Sequence, residues 1–375
     1  MDADALAHSA ALSALIRSEI GAGSIGFERY MELALYAPGL GYYSAGARKF
    51  GAAGDFVTAP ELGPAFARVL AHAFAPLLHA LAEPTILELG GGSGALAAEL
   101  LRALHAQGLK NVRYLLLDRS ADLRARQAER LAQFDVQFVD APPAAFDGIV
   151  LGNEIIDALP VNCFRIGSDD VVERAVGIAG DALCWRERPA PEALRAAVRR
   201  IEHSIERSLP HGYCSEVLLS LPAFIRTIAA PLRHGVVVLI DYGYGRAEYY
   251  RPERNQGTLI CHHRHRAHDD PFFFPGLNDI SAFVDFTALA EALDAAGLEL
   301  TAYDTQSGFL LHQDLPRIFA ELAEQNDIDR LALTGALKRL MLPGEMGERF
   351  KVMVAARSDT AGLERLKLAG QRHLL

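Results

Sequence analysis

Residues 153–157 read Asn-Glu-Ile-Ile-Asp at the end of an apolar run. If this turn is helical, Glu154 and Asp157 share a face. Paired carboxylates beside an amide can hold a cation and accept a proton from it. A second acid-bearing segment, 51–61, is rich in glycine and proline and carries Asp55, Thr58 and Glu61. A third segment, 85–96, reads Thr-Ile-Leu-Glu-Leu-Gly-Gly-Gly-Ser-Gly-Ala-Leu. Glycines there let backbone approach a bound nucleotide, since they lack Cβ and accept positive φ. Glu88 stands two residues before Gly90. An acid at that place suits a positively charged ligand such as S-adenosyl-L-methionine, which carries an ammonium and a sulfonium, and suits a pyrophosphate poorly.

The glycines alone do not decide the ligand. Gly90, Gly92 and Ala95 also satisfy the looser dinucleotide fingerprint, which keeps a nicotinamide cofactor open. Asp118 ends the next strand, where a carboxylate accepts hydrogen bonds from a ribose diol; that role is common to both ligands. Asp140, after the third strand, is expected at the adenine amine. Cofactor contacts are therefore expected from Glu88, Gly90, Gly92, Gly94, Asp118, Asp140 and Thr58. Asn153 and Glu154 lie where an open α/β sheet places its ligands and would face a transferring methyl group. Methyl transfer to nitrogen is an in-line displacement that asks mainly for a close, oriented lone pair. If the acceptor is a guanidinium, carboxylates must also bind it and help remove a proton. Glu154, Asp157 and Asn153 are the candidates, with Glu61 as the second carboxylate. Structural readings compete: acids are favoured at helix N-termini, and Asp55, Thr58 and Glu61 also suit turn and cap chemistry.

The elements that position these residues follow from periodicity. Helical spacing is expected over 4–20 and from Pro64 to Leu81. From Thr85 strands and helices alternate: strand 85–90, helix 94–107, strand 112–118, helix 120–133, then strands 135–139 and 147–152. Alternation of this kind implies a parallel sheet covered on both faces. Short antiparallel strands are expected in 163–187 and an amphipathic helix in 192–207. Helix 215–232, strand 235–241, a long loop 243–284, helix 286–296, strand 298–305, helices near 313–341 and a last strand 349–356 complete the chain. The fold class is α/β: a Rossmann-like, seven-stranded methyltransferase core with an N-terminal helical cap and inserted substrate-binding segments. Residues 1–81 are expected to form the cap and an active-site loop. Residues 82–375 form the core, with insertions at about 160–212, 243–285 and 306–345.

The formal net charge of −10 disfavours sequence-independent binding of nucleic acid. Cys163, Cys184, Cys214 and Cys261 have no CxxC spacing, which suggests reduced thiols. Cys261 to His268 holds four histidines, but their spacing matches no usual metal motif, and no metal is expected. The nucleophile-elbow pattern G-x-S-x-G is missing, which leaves a hydrolase without support. The acidic start Met1-Asp2-Ala3-Asp4 lacks the basic region of a signal peptide, and no apolar run is long enough to cross a bilayer. A cytoplasmic, bacterial protein without membrane insertion is expected.

Several segments together resemble the MidA-type methyltransferases, which include the mitochondrial complex I assembly-factor arginine methyltransferase and bacterial relatives. They are 27–31, 41–43, Gly54 to Glu61, Glu88 to Gly94, Asn153 to Val161, Asp241-Tyr242-Gly243 and Pro275 to Ile280. The glycine motif is shared by many methyltransferases; Gly54 to Glu61 together with Asn153 to Val161 is far more specific. The resemblance implies S-adenosyl-L-methionine binding and methylation of arginine on a protein substrate, a respiratory complex I-type subunit in relatives. It leaves open a homodimer, and also a chaperone that holds the cofactor without transferring its methyl group. Three positions depart from the family pattern: Asp118 stands where Glu is usual, Phe283, which cannot transfer protons, where His is frequent, and Gly63 where Ser is common.

Overall fold

Ile86 and Leu87, Leu115 and Leu116, Ile149 and Val150, and Val236 and Val237 are sequence neighbours that pack into two different apolar clusters, one on each face of a central sheet. Continuous apolar runs of this kind suit strands covered on both sides. The computed structural model describes residues 3–44, 58–264, 266–325 and 329–375. Asp55, with the rest of 45–57, lies outside the described residues.

The sheet contains β1 (Pro84–Leu89), β2 (Arg113–Leu117), β3 (Val136–Val139), β4 (Phe146–Asn153), β5 (Leu232–Tyr244), β6 (Glu299–Thr305) and β7 (Phe350–Ala356). Their hydrogen-bonded order is β6-β7-β5-β4-β1-β2-β3, and the two-residue strand Val284–Asp285 adds to the end of β5. β7 runs antiparallel to both its neighbours, and the other pairs are parallel. Strand order therefore reverses at β1, which has β2 on one side and β4 on the other. The crevice beyond the carboxyl ends of such strands is where open α/β sheets bind ligands.

Five helices flank β1 and β2 along the chain: α1 (Ala3–Ile20), α2 (Phe27–Tyr36), α3 (Pro64–His79), α4 (Ala95–Ala106) and α5 (Ala121–Arg130), of which α2, α4 and α5 line that crevice. Alanine- and leucine-rich faces of α3 and α4 cover one side of the sheet. Helices Leu221–Ala229 and Phe286–Ala295 cover the other. The segment 1–81 divides its packing. α3 belongs to the central core, whereas α1 and α2 bury Leu12, Ile16, Phe27 and Tyr30 against a second sheet. That sheet is antiparallel and joins Ile25–Gly26, Asn162–Ile166, Val171–Ala179, Ala182–Pro189 and Cys214–Val217.

Three elements differ from expectation. The expected helix 215–232 begins as strand Cys214–Val217 and becomes helical only at Leu221. Pro222 in the first turn marks the true start, as proline favours that position. The expected loop 243–284 contains a three-stranded sheet of Ile260–His263, Arg266–His268 and Asp279–Ser281. Helix α2 was not expected, although Phe27, Tyr30, Met31 and Ala34 are buried at helical spacing; Leu33 and Leu35, also buried, widen that face, and Gly26 offers no capping side chain.

Close strand approach makes one glycine indispensable. Gly148 on β4 has φ of +147°, and a Cβ there would collide with the Thr85 carbonyl of β1. Gly148→Ala should therefore destabilise the fold by about 2 kcal/mol or more, read as a lower urea midpoint at unchanged m-value.

Candidate active site

A cavity of about 940 Å³ opens at the carboxyl ends of β1 and β4. Its first wall is the turn after β1. Gly90, Gly92 and Gly94 have φ of +61°, +52° and +80°, a region that glycine enters without steric cost. A Cβ on Gly90 would collide with Ile155, and one on Gly91 would lie 2.8 Å from Leu116 Cδ1. Gly90 and Gly92 line the cavity; Gly94 caps α4 and does not. Glu88 is buried and accepts a hydrogen bond from Tyr114 Oη at 2.7 Å. Asp118 accepts from the Ser120 amide and from Gln127 Nε2, both at 2.9 Å, and Gln127 also donates to the Gly92 carbonyl at 2.9 Å. One buried amide thus ties the glycine turn to the acid at the end of β2.

The second wall is the turn after β4. Glu154 has φ of +54°, a left-handed conformation uncommon for a side chain of its size and one that costs about 1 kcal/mol or more. Its amide still donates to the Ile240 carbonyl at 2.8 Å, extending the pairing of β4 with β5. The next three amides, of Ile155, Ile156 and Asp157, donate to Asp241 Oδ2 at 3.2, 2.9 and 3.2 Å. Asn153 Nδ2 donates to Glu154 Oε1 at 3.0 Å, while Asn153 Oδ1 is buried without a partner.

A third wall comes from segments far away in the chain. Tyr36 Oη donates to the Ala158 carbonyl at 2.8 Å, and Tyr43 Oη donates to Asp279 Oδ1 at 2.9 Å. Tyr242 Oη donates to Asp157 Oδ2 at 2.6 Å, which leaves Asp157 Oδ1 buried and unpartnered. Sequence reasoning assigned no role to Gln127, Tyr36, Tyr43, Asp241, Tyr242 or Asp279. The signal was nevertheless present: Tyr43, Asp241, Tyr242 and Asp279 all lie within the motif segments that carried the family resemblance.

The remaining expected residues fall at the cavity as follows. Thr58 lines it and precedes the short 3-10 turn Ala59–Leu62. Glu61 accepts from Ser93 Oγ and lies 3.7 Å from Arg130 Nη1, which itself donates to Ser93 at 2.8 Å. Its carboxylate is therefore drawn to the glycine turn, where a serine and an arginine attract it, and it lines the same cavity as Glu154. Asp140 is at the rim, exposed and paired with Arg124 at 2.7 Å.

Burial without a countercharge governs the electrostatics. It raises Glu154 to about 8, with the charge of Asp157 adding and the Asn153 amide opposing. It raises Glu88 to about 7 against the Tyr114 hydrogen bond. Asp157 and Asp279 are likewise held above the usual carboxylate range by burial. Acids that resist ionisation in an empty cavity are stabilised by a bound cation. Bare glycine backbone, a buried acid beside it, a strand-end acid and an unpartnered amide oxygen fit a ligand with ribose, ammonium and sulfonium groups. Glu88, Gly90, Gly92 and Asp118 would hold it.

A sheet in this order, with a glycine turn and acids at the reversal of strand order, defines a methyltransferase dependent on S-adenosyl-L-methionine. Comparison with known proteins agrees. Residues 69–303 match the family described as "Putative S-adenosyl-L-methionine-dependent methyltransferase", and the chain belongs to that family. It is 42% identical to a Burkholderia thailandensis superfamily member crystallised with S-adenosyl-homocysteine, covering 100% of this chain and 99% of that one at a TM-score of 0.91. A native crystal structure of an uncharacterized protein from the same species is 41% identical, with a TM-score of 0.89 over 100% and 99% of the two chains. Among curated relatives, the protein arginine methyltransferase NDUFAF7 homolog, mitochondrial, of Caenorhabditis elegans is 27% identical over 88% of this chain and 82% of its own. The Danio rerio protein arginine methyltransferase NDUFAF7, mitochondrial, is 27% identical over 88% and 83%. The cofactor is S-adenosyl-L-methionine, and the nicotinamide alternative falls away. Among the described residues, no helix is long and apolar enough to cross a membrane.

The raised acids set a pH dependence. Glu154 is raised from 4.5 to about 8 and Glu88 from 4.5 to about 7, so between those values the folded protein binds more protons than the unfolded chain. Their contribution is complete below about pH 4.5 and is lost as pH rises through 7 and 8. The melting temperature of cofactor-free protein should fall from pH 6 to pH 8.5, and Glu154→Gln should flatten that fall.

Proposed function

We propose that the protein N-methylates an arginine side chain of a protein substrate, with Glu154 as the group that orients the acceptor nitrogen. The observation that carries this reading is the placement of Glu154: a strained, left-handed residue at the end of β4, turned into a cavity that it shares with Asp157 and Asp279. Strain of this kind persists where surrounding structure enforces it and collects at functional sites. The names of the curated relatives support arginine as the acceptor.

Bound S-adenosyl-L-methionine supplies a methyl group on a positively charged sulfur. Gly90 and Gly92 let the cofactor lie against backbone, Asp118 takes its ribose and Glu88 favours its positive end, while Thr58 and Asp140 contact its outer parts. Asn153 fixes the Glu154 carboxylate through Oε1. Glu154 then holds the guanidinium nitrogen in line and accepts the proton that this nitrogen loses as the N–CH3 bond forms. The bound cations bring the Glu154 carboxyl to its charged form, and the burial that raises its pKa to about 8 then favours uptake of that proton. Asp157 contributes a second negative charge. Glu61 acts on the other side of the cavity, where it secures Ser93 and the glycine turn.

The test is transfer of an isotope-labelled methyl group to co-purifying proteins, read by mass spectrometry. A respiratory-complex subunit is the first candidate that the family resemblance offers. Label on an arginine is the expected result. Cofactor retained with no label transferred would overturn the reading in favour of a cofactor-holding assembly chaperone. Glu154→Gln should lower turnover about 100-fold or more while cofactor affinity stays within about twofold.

A further inference from the structure

Asp157 and Asp279 reach the same cavity from different parts of the chain, the first from the turn after β4 and the second from strand Asp279–Ser281. Both are almost fully buried, at 6% and 4% exposure. Each is held by a tyrosine: Tyr242 donates to Asp157 Oδ2 at 2.6 Å and Tyr43 to Asp279 Oδ1 at 2.9 Å. Ser281 Oγ donates to the other oxygen of Asp279 at 3.1 Å. Among the described residues, no lysine or arginine pairs with either acid, and His262 faces Asp279 across the strand pair. Asp157 Oδ1 makes no hydrogen bond at all, which is costly for a buried carboxylate oxygen unless a ligand supplies the donor.

Aromatic rings flank the two acids. Tyr36 and Tyr43 are stacked, with centroids 5.6 Å apart and planes at 21°. Tyr242 meets the Phe283 ring edge-on at 5.0 Å. Aromatic faces attract cations, and flat ones accept a planar cation well. Carboxylates on two separate elements are matched by a group that presents N–H donors in several directions of one plane. A guanidinium does this; an ammonium is a compact point charge.

We infer that Asp157 and Asp279, set by Tyr242 and Tyr43, form a guanidinium-binding floor that makes the acceptor side of this cavity select arginine over lysine. The inference deepens the arginine-methylating reading and rests on it for the class of ligand. Asp157 and Asp279 touch the acceptor. Tyr242 and Tyr43 are positioning residues, each taking up one carboxylate oxygen. Phe283 fits this arrangement: its backbone amide donates to Thr258 Oγ1 at 3.0 Å, and its ring closes the slot against Tyr242 without offering a proton.

The experiment uses full-length protein saturated with S-adenosyl-homocysteine and titrates methylguanidinium chloride and methylammonium chloride separately at fixed ionic strength, by ligand-observed NMR. Methylguanidinium should bind at least about tenfold tighter. Asp279→Asn should weaken it about tenfold while S-adenosyl-homocysteine affinity is unchanged. If that variant does not fold, Tyr43→Phe serves the same comparison and should lower the selectivity between the two probes. Equal binding of the two probes overturns the inference. So does loss of S-adenosyl-homocysteine affinity in Asp279→Asn, which would assign the acid to the cofactor. Arginine labelling with an unchanged KM in Asp279→Asn would sink the floor and leave the arginine reading standing. Selective methylguanidinium binding by a protein that labels no arginine would do the reverse.

Discussion

Three successive backbone amides converge on one oxygen of Asp241, and the site is arranged around that contact. The acid lies three residues before the end of β5, the longest strand of the central sheet. Its partners are the N–H groups of the turn after β4 and of Tyr242. A carboxylate that gathers consecutive amides fixes their orientation, because each N–H must point at the same atom. The turn is thereby wound so that the residue just before these amides, Glu154, takes a left-handed conformation. Without Asp241 the amides of Ile155 to Asp157 would be buried donors lacking acceptors, and nothing would hold Glu154 in its strained shape.

The electrostatic character of the cavity follows from the same economy of partners. Several of the cations near the site serve other elements. Arg124 bridges Asp140 and the carbonyls of Asp118 and Val139, Arg130 serves Ser93 and Glu61, and Arg119 lies 6.0 Å from the Tyr36 ring. Apart from His262 beside Asp279, the hydrogen bonds of the interior acids come from hydroxyls and amides. Such a site is poised to take positive charge, and the two species that a methyl transfer to arginine brings together are both cationic. Their mutual repulsion is the electrostatic obstacle to the reaction, and acids placed between them lower it.

Legibility in the sequence tracked the range of the interaction concerned. The central strands were readable because each is a local apolar run, and the glycine turn because its conformational demand falls on glycines within five consecutive residues. Asp118 was readable from its place at a strand end. Helix α2 was missed although Phe27, Tyr30, Met31 and Ala34 recur at helical spacing; it is short, and the buried Leu33 and Leu35 blur the pattern. The pairing of Tyr43 with Asp279 spans 236 positions and leaves no periodic trace. Glu61 was correctly placed at the cavity, but its partner depends on Arg130, a helix-surface residue whose reach only the folded chain reveals. The strand Cys214–Val217 was hidden by the leucines that follow it, which extend a helical pattern backwards through a segment that pairs with Asn162–Ile166.

The hydroxyl of Tyr36 rests on the carbonyl of Ala158, so an element outside the central sheet completes the reaction chamber. The turns that carry the acids and the helix that closes over them are thus distant in the chain and adjacent in space. A polypeptide lacking that helix would keep the glycine turn and lose one side of its doorway.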